Sequence, residues 1–225
     1  MGVTTDLGSV PAVDIRVPTW PELTHDAGMG RTYDRIDDRL RSFIEAQPVF
    51  FVATAPLAAD GHVNLSPKGL TGSLAVLDGR TVAYLDFGGS GAETLAHLRE
   101  NGRITLMWCA FDGPPKIVRI HGHGEAVFRD DPRWCDLIGN FGDRADGPGL
   151  RAIIVVTARR ISDSCGFGVP LMDLRAERTL HPDFFGRKTD EEFAAYCAQK
   201  EHVATSLDGL PALPLPLPPL PSRPA

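Results

Sequence analysis

Lys68 is the first residue whose setting asks for a chemical reason. In His62–Lys68 (HVNLSPK) the two-residue period of a strand sends Val63 and Leu65 to one side and Asn64, Ser66 and Lys68 to the other. If the polar side lines a packed interior, a cation there demands an anion; if it faces water, it demands nothing. A second place is Ser90-Gly91-Ala92-Glu93-Thr94, which follows a strand candidate ending at Asp86 and opens a helix. Ser90 fits an N-cap, with Glu93 as the reciprocal partner of a capping box. The same helix start offers free amides and a partial positive charge to a phosphate, a use with which the Glu93 carboxylate competes.

A third place is Lys116–Phe128, where alternation puts Arg119, His121, His123 and Glu125 on one face. Two histidines two apart can share a metal, but no third ligand stands at a sensible spacing, so no metal is expected. A wall that hydrogen-bonds or neutralises a ligand, or a plain solvated face, are the readings left. The run Ser162–Pro170 (SDSCGFGVP) breaks regular structure straight after a long strand, and such a loop packs on a partner subunit or lines a site. Cys165 within it would need a base and a lowered pKa to act as a nucleophile, and a structural or contact role is expected instead. The G-x-S-x-G elbow of serine hydrolases does not occur, and Gly88-Gly89-Ser90-Gly91 lacks the last glycine of a dinucleotide fingerprint.

The elements that must position these residues are mostly strands. Helical spacing of Ile36, Leu40, Phe43 and Ile44 predicts a helix over Asp34–Gln47, stopped by Pro48. Strands are predicted over Val49–Ala55, His62–Lys68, Ser73–Leu77, Arg80–Asp86, Arg103–Phe111, Lys116–Phe128 and Arg151–Ser162. Asp78-Gly79 marks a hairpin between two of them. Further helices are expected over Ala92–Asn101, Asp131–Asn140 (Pro132 in its first turn) and Thr189–His202, the last opened by the capping-box pattern Thr189-x-x-Glu192. Strands joined by tight turns, with few helices, predict a mainly β, antiparallel barrel, whose closure removes exposed edges.

Composition bounds the rest. With 225 residues, 43% of them hydrophobic, residues 34–210 can bury a full core as one domain. Residues 1–33 read as an extended arm and 211–225 as a disordered proline-rich tail in polyproline II. Within that tail Pro218–Arg223 (PPLPSR) fits the PxxPxR pattern of SH3-type ligands, a weak pointer to a partner. A formal charge of −6 without a basic run gives no electrostatic footprint for nucleic acid. No apolar stretch of about 18 residues spans a membrane, and Met1–Asp14 has no signal-peptide pattern. Four cysteines without a CxxC pair suggest reduced thiols, and a cytoplasmic location is expected.

The order of these pieces resembles a known family. A helix, FFVATA, a turn, HVNLSPKG, a hairpin, YLDFGGSGAETLAHLRENGRITLMWCAF and PPKIVRIHGHGEAVF are similar, over about Ile36–Met172, to the pyridoxamine 5′-phosphate oxidase-like flavin-binding split barrels. Its most specific parts are VNLSPKG, SGAETLAHLRENGRI and RRISDSCGFGVPLM. The resemblance implies a Greek-key-like split barrel that forms a homodimer, with FMN in clefts at the subunit interface. It maps flavin contacts onto Asn64, Ser66, Pro67, Lys68 and Gly69, and onto Asp86, Ser90, Gly91, Glu93 and Thr94, with Lys68 neutralising phosphate.

The chain departs from the family pattern twice. The family's helix start commonly carries a basic residue after the serine, whereas Glu93-Thr94 stands here, which shifts phosphate charge onto Lys68 and Arg119. The family's vitamin B6 oxidases end in an Arg/Trp-bearing segment, whereas no tryptophan follows Trp134. The expected activity is therefore FMN-dependent oxidoreduction of a small molecule, with no catalytic residue assigned. The deazaflavin F420 or haem as cofactor, a non-enzymatic flavin-binding module, and a tail-mediated interaction protein are the other readings.

Overall fold

The computed structural model describes residues 30–89 and 91–221. Its frame is one antiparallel sheet built from β1 (Thr32–Tyr33), β2 (Phe50–Thr54), β3 (Asn64–Lys68), β4 (Leu74–Val76), β5 (Thr81–Phe87), β6 (Arg103–Cys109), β7 (Ile117–Phe128) and β8 (Leu150–Ser164). The strand order is β3-β2-β6-β7-β8-β5-β4, with β1 added to β8. Among the described residues six α-helices flank it: α1 (Asp38–Ala46), α2 (Glu93–Glu100), α3 (Trp134–Ile138), α4 (Leu180–Phe185), α5 (Asp190–Gln199) and α6 (Glu201–Ala204). From β5 the chain passes through α2 and re-enters three strands away at β6. The β6-β7-β8 meander then brings β8 back beside β5, a Greek-key connection.

The sheet curls but stays open. β3 and β4 are its two edges and do not pair with each other; a corner with Leu70 and Gly72 at positive φ joins them. The predicted closure is corrected accordingly: after the corner β4 pairs with β5 and β3 with β2, and no ladder joins the two edges. Bending of the long strands comes from a bulge between His121 and Gly122 of β7. Gly122 is required there, because a Cβ would stand 2.4 Å from the Thr157 carbonyl oxygen.

Strand alternation sorts the core. In the row Val52–Leu106–Ile120–Ile161, every side chain points to the concave face and is buried. Full burial of each contributes about 1.5–3 kcal/mol. α1, α2 and the C-terminal helices cover that face. Ala83 and Leu85 point the other way, under α3 and the 3-10 segment Gly139–Asp146. α1 begins only at Asp38, because the Asp37 carboxylate caps it and Ile36 N–H donates to Gly79 O instead. The helix expected over 131–140 is shorter, α3 followed by 3-10 turns. The Thr189–Glu192 capping box is present.

The tail is a further correction. Ala212, Leu213 and Leu217 are buried in the main core, and Thr205 bridges to Pro211. Prolines lack donors, but their carbonyls still accept, and Arg129 Nη1 donates to Pro218 O at 3.1 Å. Leu213 and Leu217, spaced between prolines, therefore seat on the core, while the side chains of Arg129 and Asp190 hold the backbone. Residues 1–29, most of the expected arm, lie outside the described residues, as do Ser222 and Arg223 of the SH3-type pattern. Thr32–Tyr33, at the arm's end, pairs with Ser162 and Ile161. No helix among the described residues is long and apolar enough to cross a membrane.

Candidate functional site

The polar side of β3 faces inward. Asn64, Ser66 and Lys68 register against Thr54, Val52 and Phe50 of the concave face, while Val63 and Leu65 are 74% and 65% exposed. On an ordinary edge strand the apolar side would be buried, so this inversion needs a reason inside.

What lies inside is a seam where β3, β5, β8 and the start of α2 meet. Asp86 of β5, 1% exposed, stands 3.6 Å from Lys68 Nζ and 2.9 Å from Arg151 Nη2. Arg151 Nε also donates to Asp86 at 3.0 Å, and Nη2 to Gly91 O at 3.2 Å. Its Nη1 is buried with no hydrogen-bond partner, and so is the Tyr84 hydroxyl. Burial, with the Asp86 charge second, drives the Tyr84 pKa well up, so the phenol keeps its proton. Two cations thus share one carboxylate, leaving a formal excess of one positive charge.

Beside it runs a neutral row. Ser66 Oγ donates to Asn64 Oδ1 at 2.8 Å, and Asn64 Nδ2 donates to Thr54 Oγ1 and Thr94 Oγ1, both at 3.1 Å. Thr54 Oγ1 lies 2.9 Å from His97 Nδ1. Glu93 Oε1 accepts the Leu207 amide at 3.0 Å, so this carboxylate is engaged by the C-terminal segment. Its Oε2 faces His97 Nε2 at 3.9 Å. Both atoms are buried and unpartnered, and with Arg151 Nη1 and Tyr84 OH they complete the set of such side-chain atoms among the described residues. In the native interior such atoms are few, so four in one seam mark it.

The seam gathers Asn64, Ser66, Lys68, Asp86, Gly91, Glu93 and Thr94. Ser90 lies outside the described residues; the N-cap of α2 is Ala92, without a side-chain cap, which corrects the reading of Ser90 as that N-cap. Others stand elsewhere. Pro67 and Arg119 are on the opposite, convex face, where they share the row Pro67–Phe51–Met107–Arg119. Arg119 Nη1 donates to Ser164 Oγ at 2.8 Å, so within one chain it does not reach Lys68. Gly69 O accepts from Ser73 Oγ at the corner beyond β3. His121 and His123 are exposed, and Glu125 pairs with Arg133 at 2.7 Å. Cys165 is exposed as well.

Arg151, Tyr84, Thr54 and His97 were not legible as site residues. Arg151 leaves one signal, a cation heading the apolar run RAIIVV.

A family model described as pyridoxamine 5′-phosphate oxidase matches residues 36–165, which include every strand from β2 to β8. A pyridoxamine 5′-phosphate oxidase family protein of Aspergillus flavus is 40% identical over 193 residues, covering 80% of this chain and 77% of that one. The chain belongs to the pyridoxamine 5′-phosphate oxidase family. Its curled, open antiparallel sheet with flanking helices is the split barrel of that family. Among solved structures, a FAD-binding protein of Mesorhizobium loti superposes with a TM-score of 0.42 at 15% identity, over 60% of this chain and 96% of that one. An FMN-binding protein of Syntrophomonas wolfei gives 0.39 at 19% identity, over 60% and 85%. The family match stops at residue 165, so Asp190 and Pro218, two of Arg129's partners, and Leu207, which engages Glu93, lie in the C-terminal segment beyond it.

Proposed function

We propose that the seam binds FMN by its phosphate and that the protein is a flavin-dependent oxidoreductase of a small molecule, active as a homodimer. The observation that carries the reading is the surplus positive charge at Lys68–Asp86–Arg151, with Arg151 Nη1 buried and unbonded. A buried cation without a full set of partners is costly, and an incoming dianion supplies them. The residues fit that group: the first amides of α2 are adjacent, and a Cβ at Gly89 or Gly91 would meet nothing within 4 Å. Lys68 and Arg151 would neutralise the phosphate, while Asn64, Ser66 and Thr94 would offer hydrogen bonds and Phe50 and Val52 keep water out. Bound there, the flavin supplies reversible hydride chemistry.

The homodimer accounts for the other face of the sheet. Phe51, Val63, Leu65, Pro67 and Met107 form an apolar convex surface that no element of the chain covers among the described residues. A second copy on this face would give Arg119 and Pro67 a role at the interface.

Titration of the purified chain with FMN and with riboflavin tests the phosphate placement. FMN should bind at least about tenfold more tightly, the worth of one charge-assisted contact. Equal affinities would overturn it. F420 also carries phosphate, and binding of F420 with none of FMN would move the cofactor to the deazaflavin. Light scattering should give twice the chain mass; a monomer that holds flavin would remove the interface from the site.

A further inference from the structure

We propose that cofactor binding in the seam is coupled to uptake of one proton, and that the proton is held by the Glu93–His97 pair at the start of α2. This rests on the flavin reading above and adds a regulation of that site by pH.

The geometry is unusual for an i,i+4 acid–histidine pair. Glu93 Oε2 and His97 Nε2 stand 3.9 Å apart, beyond hydrogen-bond reach, and neither has another partner. His97 is fully buried. Its Nδ1 is committed to Thr54 Oγ1, which Asn64 also approaches as a donor. With the ring proton on Nδ1 and given to Thr54, Nε2 presents a lone pair to a carboxylate oxygen. Two acceptors then face each other, which accounts for both the gap and the missing partners. One proton on Nε2 converts them into donor and acceptor. The Leu207 amide, by fixing Oε1, holds Oε2 toward the ring.

Charged groups surround the pair from every side. Glu93 and Glu100 come from α2, Arg103 from β6 and Asp208 from the C-terminal segment, where Asp208 itself pairs with His62. Burial lowers the His97 pKa and outweighs Glu93, so the unliganded pair carries one negative charge at neutral pH. That charge sits at the first residue of α2, beside the amides a phosphate would use. An anion bound there repels Glu93, and protonation of His97 brings the pair to zero net charge and removes the repulsion. By linkage, a ligand that favours the protonated pair binds more tightly as pH falls.

The test is calorimetric titration of FMN into the flavin-free chain, in two buffers of different ionisation enthalpy, for wild type, His97→Gln and Glu93→Gln. Wild type should take up about one proton more than either variant, and its affinity should fall roughly tenfold more between about pH 6 and pH 8. Glu93→Gln should bind FMN several-fold more tightly than wild type at about pH 8, a gain that loss of a structural contact would not give. Equal proton uptake in wild type and His97→Gln, or weaker binding by Glu93→Gln, would overturn the coupling while leaving the flavin site in place. Absence of FMN binding by all three chains at every pH would overturn the flavin reading itself.

Discussion

Two arginines, both 2% exposed and both tied to the head of β8, are treated in opposite ways. Arg129 gives Nε and Nη2 to Leu150 O, Nη1 to Asp190 Oδ1 at 2.7 Å and to Pro218 O at 3.1 Å, and lies over the Phe193 ring. Every nitrogen has a partner, and those partners come from β8, α5 and the tail. Arg151, one residue past Leu150, shares Asp86 with Lys68 and keeps Nη1 unbonded. The first is a finished joint. The second is a cation held in place with capacity to spare, which is what a preorganised ligand site requires. The difference predicts that damage at Arg129 is read as stability and damage at the seam as binding.

The largest effect should follow Arg129→Met. It strips hydrogen bonds from the Leu150 and Pro218 carbonyls and leaves Asp190 without its cation, and should destabilise the fold by about 3 kcal/mol. Chemical denaturation measures it, and FMN affinity of the folded fraction should stay within about twofold. A stable variant that loses FMN would invert the contrast between the two regions. Next comes Lys68→Ala, whose ammonium is partly exposed and whose loss leaves the Asp86–Arg151 pair intact. Fluorescence titration should show FMN binding weakened by about 1–3 kcal/mol. The unfolding midpoint should barely move; a large shift instead would make Lys68 part of the joint rather than of the site.

The same contrast explains what the sequence could show. Strands β2 to β8 were readable because period-two alternation and turn residues such as Asp78-Gly79 are local signals, and the Thr189 box is local too. Lys68 stood out because a cation interrupts an otherwise ordinary strand. Asp86 and Arg151 meet across the β5–β8 pairing, 65 residues apart, and nothing local announces such a contact. The inward turn of Asn64 and Ser66 also needed the structure, since alternation assigns two faces without saying which is buried. The tail was misread for a related reason: proline-rich composition speaks to backbone freedom, whereas its order comes from distant partners, Arg129 and Asp190.

A smaller effect should come from the C-terminal segment alone. Thr189 Oγ1 accepts from Glu192 N–H, and Glu192 answers at Thr189 N–H, closing the first turn of α5. Thr189→Ala should lower stability by about 1 kcal/mol, seen as a drop in the denaturation midpoint. The cost should fall on the fold and leave FMN affinity unchanged, as for Arg129. Weakened FMN binding would mean that the C-terminal segment and the seam act as one unit.

The smallest effect should appear where that segment touches the rim of the seam, at the His62–Asp208 clasp. Asp208 accepts from His62 N–H at 2.8 Å, and its other oxygen lies 2.6 Å from Nδ1. The hydrogen bond to Asp208, and then its charge, hold the His62 pKa above the ordinary 6.5; the bond to His62 holds Asp208 below 3.8. A raised histidine contributes fully below about pH 6.5, and that contribution is lost as pH rises through the folded value. A lowered carboxylate contributes above about pH 3.8, and that contribution is lost as pH falls through the folded value. The clasp is therefore strongest between roughly pH 4 and 6.5, and fades on the alkaline side as His62 gives up its proton. Amide exchange at Leu207, whose N–H is bound to Glu93, should after correction for intrinsic rates be slowest in that window and quicken above it. His62→Ala should flatten the pH dependence without altering exchange in α5. If exchange at Leu207 kept its pH dependence in His62→Ala, the Glu93–His97 pair rather than the clasp would be what holds this segment to the seam.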